Sequence, residues 1–379
     1  MDRARTVSKL VSNALRYRLL KFSGRPGRLE ALSLEITHRC FCRCRMCNIW
    51  QIPPSVPDLP LSVWTKLLSA PALRNLRELD ITGGEPFLRQ DLGELLAWIC
   101  RAKPSCFPQL QTLAITTNGV LTERILKVTA ELIGPLRASG IDLVLACGLD
   151  AVGELHDRIR GLKGAWAKLN TTLTGLKQLR GSNTNLILGI KTTVVPDNVQ
   201  QLEPLADFAR EHALFTIISP CIITANRFGN LDRQEDLQFS AVERKALRRF
   251  YTDSSVTWDG HRQSMLHFLA TGTAKKPCSA GFNTLFIRHN GEVFPCPLIA
   301  ASLGNIKDAD LGELSASAQA SRFRKRIGTF AECKLCTEPG LERIAWPYEG
   351  LTCLNLLARI GFRDFERLAD QMGLAKYLA

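Results

Sequence analysis

The sequence of 379 residues is 45% hydrophobic and 22% charged, which is typical of a soluble globular protein with one large domain and a smaller one. No run of about 18 apolar residues is free of charge and no secretory signal is visible, which argues against a transmembrane span and predicts a cytoplasmic protein without stable membrane insertion. The formal charge of +13 comes with no nucleic-acid-binding motif, so no nucleic-acid partner is predicted.

The first 30 residues hold much of the excess positive charge, since eight Lys or Arg stand against only Asp2 and Glu30. Val7, Leu10 and Leu15 belong to an apolar series at helical spacing, which predicts an amphipathic helix. We expect this helix to dock on its own domain and to expose its basic face. A membrane surface or an acidic partner is the alternative that the sequence leaves open.

From residue 31 onward, β-rich apolar runs alternate with helical patterns. Strands are predicted at 31–37, 76–82, 110–116, 141–146, 186–194 and 215–219, and helices near 61–70, 91–102, 122–137, 165–180 and 198–212. Six alternations predict an α/β fold with a parallel sheet, open or curled into a partial barrel. Ligands of such sheets bind at the carboxyl ends of the strands.

The remainder of the chain changes character twice. After an irregular stretch with a basic helix near 241–250, four cysteines lie among Gly and Pro, and residues 354–377 are predicted to form a helix. The predicted organisation is an N-terminal extension (1–30), a barrel core (31–220), a connector (221–277), a small cysteine-rich domain (278–345) and a helical tail (346–379).

Four cysteines follow the first predicted strand within eight positions: Cys40, Cys42, Cys44 and Cys47. In a reducing compartment, such thiols bind metal more often than they form disulfides. Zinc sites usually take cysteines in two separated pairs, whereas Cys40, Cys44 and Cys47 have C-x3-C-x2-C spacing. Three thiolates on a tight loop suit a 4Fe-4S cube with one iron left open, which is our interpretation of the loop.

These residues resemble the signature of the radical S-adenosylmethionine (radical SAM) superfamily, C-x3-C-x-aromatic-or-apolar-C. Met46 fills the apolar position, and "CNIW" continues as in many members. The resemblance implies a partial (β/α)6 barrel, in which Cys40, Cys44 and Cys47 hold the cluster that binds S-adenosylmethionine.

Two further strand ends fit the resemblance. "DITGGEPFL" follows the second strand, and Gly83, Gly84 and Glu85 are expected to hold the amino group of the cofactor, because glycines allow close backbone approach and a carboxylate accepts from an ammonium. A capped Gly-Gly turn is the alternative. "TTNG" after the third strand adds Asn118 as a cofactor-binding candidate, although Asn-Gly is also a common turn.

After the fourth strand, "GLDAVGELHDRIRG" is similar to the family stretch S-x-D-G…H-D-x-I-R-G. Asp150 is expected to contact a hydroxyl and Arg160 to bind the cofactor carboxylate, with a helix cap and a surface ion pair as the alternatives. Gly148 stands where the family usually has Ser, and Ala151 where it has Gly. His156 is predicted to be structural.

A second cysteine set lies near the C-terminus. "CSAGFNTLFIRHNGEVFPC" predicts a β-hairpin around His289-Asn290-Gly291, and "CKLC" follows later. The pattern resembles a SPASM domain, in which Cys278, Cys296, Cys333 and Cys336 hold one auxiliary 4Fe-4S cluster; a zinc ribbon is the alternative. Cys353 is predicted to be buried and inert.

The resemblance implies cleavage of S-adenosylmethionine to a 5′-deoxyadenosyl radical that removes hydrogen from an unreactive C–H. We predict an oxidoreductase that acts on a small molecule, with the auxiliary cluster as electron acceptor and flavodoxin or ferredoxin as external donor. A peptide maturase or a radical epimerase is the alternative, and Cys221 would then be the hydrogen donor. A non-catalytic zinc protein is the third hypothesis.

Overall fold

The computed structural model describes residues 2–253 and 259–378 and contains a sheet of nine strands. The strands are β1 (Ala31–Thr37), β2 (Glu78–Gly83), β3 (Thr112–Thr117), β4 (Asp142–Gly148), β5 (Leu186–Val194), β6 (Phe215–Pro220), β7 (Thr284–Ile287), β8 (Glu292–Phe294) and β9 (Gly304–Asn305). Their spatial order is β6-β5-β4-β3-β2-β1-β7-β8-β9. Strands β1 to β6 pair in parallel with their neighbours, which confirms the predicted partial barrel.

The helices that connect the parallel strands follow the predicted alternation. They are α2 (Leu61–Leu68), α3 (Leu92–Cys106), α4 (Thr122–Ala138), α5 (Glu154–Arg160), α6 (Ala165–Ser182) and α7 (Leu202–Glu211). The strands place alternate residues on opposite faces, so that in β4 Leu143 and Leu145 are buried in the core while Val144 and Ala146 face the barrel interior. The apolar face of the helices covers the outside of the sheet.

The predicted hairpin is formed by β7 and β8, which pair antiparallel. It is not a separate sheet, because β7 also pairs in parallel with β1 and thus continues the barrel sheet. At the junction, the His289 Nδ1 atom lies 2.6 Å from Oε1 of the fully buried Glu35, and Arg288 lies 3.3 Å from the same oxygen. The cysteine-rich segment is therefore anchored directly to the first barrel strand.

Ten more helices lie outside the barrel crossovers of the described chain. They are α1 (Arg3–Ser23), α8 (Ala241–Asp253), α9 (Asp259–Thr271), α10 (Leu311–Ala316), α11 (Ala318–Arg326), α12 (Ala331–Lys334), α13 (Pro339–Glu349), α14 (Leu351–Ile360), α15 (Phe362–Gln371) and α16 (Ala375–Leu378). No helix among the described residues is long and apolar enough to cross a membrane. Residues 254–258 of the predicted connector lie outside the described residues.

The tail differs from the prediction of one helix over 354–377. Gly361 and Gly373 have φ of 81° and 60°, and they separate the tail into α14, α15 and α16. The predicted boundary between residues 345 and 346 also falls inside α13. The tail packs beneath the barrel, where Glu78 at the start of β2 accepts hydrogen bonds from Lys376 at 2.8 Å and from Tyr377 at 3.1 Å.

Candidate active site

The cysteine loop, residues 40–47, lies beyond the carboxyl end of β1. The backbone N–H of Arg43 donates to the carbonyl oxygen of Arg160 at 2.9 Å, which ties the loop to the end of α5. On its other side, Asn230 Nδ2 donates to the carbonyl oxygen of Met46 at 2.8 Å. The loop is thus fixed between α5 and the segment that follows β6.

The four thiols of the loop differ in environment. Cys42 and Cys44 are buried, and Cys40 and Cys47 are half-buried. The Cys42 thiol donates to Cys40 and Cys44, which raises the pKa of Cys42 and lowers that of Cys44 to about 7, while burial raises the pKa of Cys47 to about 12. Among residues 2–253 and 259–378, no three His, Cys, Asp or Glu side chains stand in a metal-binding arrangement. The ligand assignment therefore rests on the loop position and on thiolate chemistry, which suits an iron–sulfur cube.

Gly83 and Gly84 allow a close approach of two chain segments. Gly83 has φ of 141°, and a Cβ atom at this position would overlap the carbonyl oxygen of Thr37. A Cβ atom at Gly84 would overlap the carbonyl oxygen of Arg39. The glycines are therefore needed where the end of β2 lies close beside the end of β1 and the residues that follow it, a packing role that the sequence did not reveal.

Glu85 connects the end of β2 to the end of β3. Its fully buried carboxylate accepts hydrogen bonds from the backbone N–H of Asn118 at 2.7 Å, from Thr117 Oγ1 at 2.9 Å and from the backbone N–H of Phe87 at 3.1 Å. Burial nevertheless raises the pKa of Glu85 to about 7. The Asn118 amide in turn lies 3.9 Å from Cys40 Sγ, so this network reaches the cysteine loop.

Asp150 and Arg160 form a buried ion pair, with 2.7 Å between Asp150 Oδ2 and Arg160 Nε. Another nitrogen of Arg160 lies 4.0 Å from Cys44 Sγ. A Cβ atom at Gly148 would overlap the guanidinium group as it lies in this structure. His156 accepts from the backbone N–H of Asp150 at 3.2 Å, and burial lowers its pKa to about 3, in keeping with the predicted structural role.

The four C-terminal cysteines pack into one apolar cluster. Cys296 and Cys336 are buried within it, and Cys278 and Cys333 pack against it. Burial raises the pKa of Cys278 to about 12 and also raises that of Cys333. Tyr17 of α1 donates to the carbonyl oxygen of Cys278 at 2.6 Å. The fold thus brings together the four residues predicted to hold the auxiliary cluster.

Two other cysteines have distinct surroundings. Cys221 packs against the apolar cluster that contains the cysteine loop, and Asn230 Nδ2 lies 3.8 Å from its Sγ. Burial raises the pKa of Cys221 to about 12. Its side chain does not line the described barrel cavity. Cys353 is fully buried in a different apolar cluster, which also contains Leu10.

A cavity of about 1300 Å³ occupies the barrel interior. Its lining includes Asp80 on β2, Lys191 on β5, Arg227 after β6 and Glu338 before α13. Burial would raise the pKa of Glu338, but the positive charges of Lys191 and Arg227 lower it, and Arg227 also donates to Thr82 at 2.8 Å. The cavity wall therefore carries both basic and acidic side chains.

These cavity residues are not among those predicted from the sequence. Asp80 stands between Leu79 and Ile81 in a predicted strand, and this alternation was the available signal for a polar residue on the inner face. Arg227 and Glu338 come from segments without regular periodicity, so only the three-dimensional fold brings them to the barrel.

Comparison with known proteins agrees with this arrangement. The family model of the radical SAM superfamily matches residues 34–209, and that of the SPASM iron-sulfur cluster-binding domain matches residues 278–337. The subtilosin biosynthesis protein AlbA of Bacillus subtilis is 24% identical over 72% of this chain, which spans 56% of AlbA's length. The PqqA peptide cyclase of Gluconobacter oxydans is 26% identical over 76% of this chain and 77% of its own.

Among solved structures, Streptococcus suis SuiB bound to S-adenosylmethionine superposes with a TM-score of 0.58 at 15% identity, covering 86% of this chain and 76% of SuiB, which supports the fold. The chain belongs to the radical SAM superfamily and is an enzyme. More particularly, it is a radical SAM enzyme with a SPASM domain. The radical SAM domain implies a 4Fe-4S cluster that binds S-adenosylmethionine, and the SPASM domain implies auxiliary iron–sulfur clusters.

Proposed function

We propose that this enzyme oxidises a small molecule held in the barrel cavity. The observation that carries the proposal is the cavity itself, because its wall combines barrel strands with Glu338 of the cysteine-rich segment. Lys191 and Arg227 supply positive charge and Asp80 and Glu338 negative charge, which suits a polar, charged small molecule.

The bound groups supply the radical chemistry: a 5′-deoxyadenosyl radical from S-adenosylmethionine at the cluster of Cys40, Cys44 and Cys47, and an electron acceptor at the auxiliary cluster of the C-terminal cysteines. The protein supplies position and charge. Arg160, held by Asp150, would bind the cofactor carboxylate, because its guanidinium already lies beside the cysteine loop.

Glu85 would contribute negative charge for the cofactor's ammonium group while its hydrogen bonds hold Asn118 next to Cys40. Met46 would pack against the bound cluster from within the loop, since it belongs to the same apolar cluster as the cysteines. A cytoplasmic site of action and an external electron donor such as flavodoxin or ferredoxin are parts of this proposal.

A deuterium-transfer experiment tests the substrate class. Cells that express the chain are grown in deuterated medium, and their extract is separated into molecules below about 1 kDa and peptides of about 1–10 kDa. Each fraction is incubated anaerobically with the reconstituted, reduced enzyme and unlabelled S-adenosylmethionine. We expect deuterium in 5′-deoxyadenosine with the small-molecule fraction. Deuterium transfer only from the peptide fraction would contradict a small-molecule substrate.

A radical epimerase or peptide maturase is the second candidate. It is favoured by the position of Cys221 beside the cysteine loop and by the similarity to PqqA peptide cyclase, whose name specifies a peptide. An epimerase needs a thiol that returns a hydrogen atom to the substrate radical, whereas an oxidase does not. We expect Cys221→Ala to sustain turnover. Stalled turnover in this variant, together with one solvent deuterium in the wild-type product made in deuterated water, would instead establish epimerisation.

A further inference from the structure

The N-terminal helix α1 leaves one apolar stripe uncovered. Its members Val11, Leu15, Leu19 and Phe22 are 43%, 63%, 70% and 88% exposed. With 3.6 residues per turn, these four side chains lie within an arc of about 80° along the helix. Isolated exposed apolar residues are ordinary, but a continuous stripe of large ones marks an interaction surface.

The stripe is presented by a helix that is firmly docked through its opposite face. Leu10 and Ala14 are buried, and the Tyr17 hydroxyl donates to the carbonyl oxygen of Cys278. Asp2 caps the start of the helix by accepting from the backbone N–H of Arg5 at 3.1 Å. The predicted docking on its own domain is thus observed. The exposed side, however, is apolar as well as basic.

The charge around the stripe has one sign. Residues 3–23 contain no Asp or Glu. Arg5 and Arg16 flank the stripe on one side and Lys21 on the other, and all three are exposed. Arg18 is partly neutralised by Glu349 at 3.5 Å. An exposed apolar stripe between basic side chains is the pattern of a helix that lies in a membrane interface.

We propose that α1 binds the surface of a bilayer containing anionic phospholipids, with the apolar stripe among the headgroups and the basic residues at the phosphates. A second copy of the chain fits the stripe less well, because face-to-face contact would bring the basic flanks of two helices together. Lipid binding of this kind needs no membrane-spanning segment, and the inference does not depend on the proposed reaction.

The test is co-sedimentation of the reconstituted full-length enzyme, under anaerobic conditions, with vesicles of phosphatidylcholine containing phosphatidylglycerol. The main variant replaces Leu15, Leu19 and Phe22 by Gln, which removes the three most exposed members of the stripe but keeps helix propensity. We expect at least a tenfold loss of vesicle affinity. The matched control is Val242→Gln, since Val242 is 74% exposed on α8, outside the stripe, and we expect its affinity to equal that of the wild type.

Two further measurements make the test decisive. Wild-type binding should fall steeply when the vesicles contain phosphatidylcholine alone or when salt is raised. Circular dichroism and iron content of the triple variant should match the wild type, because its altered residues are exposed. The proposal would be overturned if the wild type does not sediment with the vesicles. It would also be overturned if the wild type forms a dimer or an acidic-peptide complex that the Gln variant abolishes, while no vesicle binding is seen.

Discussion

The two ends of the barrel use charge in different ways. At the amino end of the strands, the buried Glu78 is paired with both Arg343 and Lys376. Lys191 and Arg227 line the same cavity as these three residues but form no ion pair within the part of the chain that the structure describes. A buried charge that is fully paired holds elements together, whereas unpaired charge in a cavity is available to a ligand. The amino end should therefore govern stability, and the carboxyl end, with its cysteine loop, should govern chemistry.

The largest effect is expected at the cysteine loop, where substitution should stop the reaction. Replacing Cys40, Cys44 and Cys47 together by Ala should abolish 5′-deoxyadenosine formation, because all three thiolates are needed to hold the cube. Anaerobic assay of reconstituted protein by chromatography measures the product. The matched control is Cys42→Ala, which should retain formation. Loss of the cluster in the Cys42 variant alone would show that the ligand set is different.

Glu78→Gln should affect stability rather than cofactor binding. Burial alone would raise the pKa of Glu78, but Arg343 and Lys376 lower it from 4.5 to about 2. A depressed carboxyl pKa stabilises the fold above about pH 4.5, and this contribution is lost as the pH falls towards 2. This shift in the pKa of Glu78 corresponds to roughly 3 kcal/mol of the free energy of unfolding at pH 7.

Urea denaturation at pH 7 measures the effect of Glu78→Gln, with Glu94→Gln as the control because Glu94 is exposed in the first turn of α3. The difference in the free energy of unfolding between the Glu78 variant and the wild type should become smaller below pH 4.5. Equal stability of the two Gln variants at pH 7 would remove the proposed distinction between the ends of the barrel.

At the carboxyl end, Glu85→Gln should weaken the binding of S-adenosylmethionine by about ten- to a hundredfold, or roughly 1.5–3 kcal/mol. The substitution keeps the shape of the side chain and removes its charge. Its hydrogen-bond network also changes, since Glu85 accepts from Asn118 and Thr117. Anaerobic titration measures the affinity, and an unchanged value would exclude Glu85 from the cofactor site.

A smaller effect is expected for Gly148→Ser, which restores the residue usual in the family. The added side chain would displace the Arg160 guanidinium from its contact with Asp150. We expect about a tenfold loss of S-adenosylmethionine affinity, equivalent to about 1.4 kcal/mol. Ala151→Gly is the control, because it also restores a family residue but adds no atoms near Arg160. A Ser variant with wild-type affinity would show that Arg160 does not bind the cofactor carboxylate.

The barrel was predictable because its signals are local. Strands β1 and β5 have the predicted bounds, 31–37 and 186–194, since alternating or continuous apolar runs end at recognisable turns. The hairpin was also visible from its Asn-Gly turn. The two glycines that divide the tail were visible in the sequence as well, and their effect on the backbone outweighs the apolar periodicity that predicted a single helix.

Long-range features were not accessible in the same way. The pairing of β7 with β1 and the approach of Arg227 and Glu338 to the barrel depend on how distant segments meet, and no periodicity records this. Likewise, the resemblance indicated that Gly148 is unusual, but only the fold shows the guanidinium that occupies the missing side chain's space. Local chemistry was therefore predictable, whereas the shape and charge of the substrate cavity were not.

The central claim is that the two cysteine sets hold two different clusters, of which only the first binds S-adenosylmethionine. Iron analysis, combined with electron paramagnetic resonance of the reduced enzyme with and without S-adenosylmethionine, tests it most directly. We predict about eight iron atoms per wild-type chain and about four in the triple variant of Cys40, Cys44 and Cys47. The spectrum should respond to S-adenosylmethionine in the wild type and not in that variant. A response that persists in the triple variant would contradict the account.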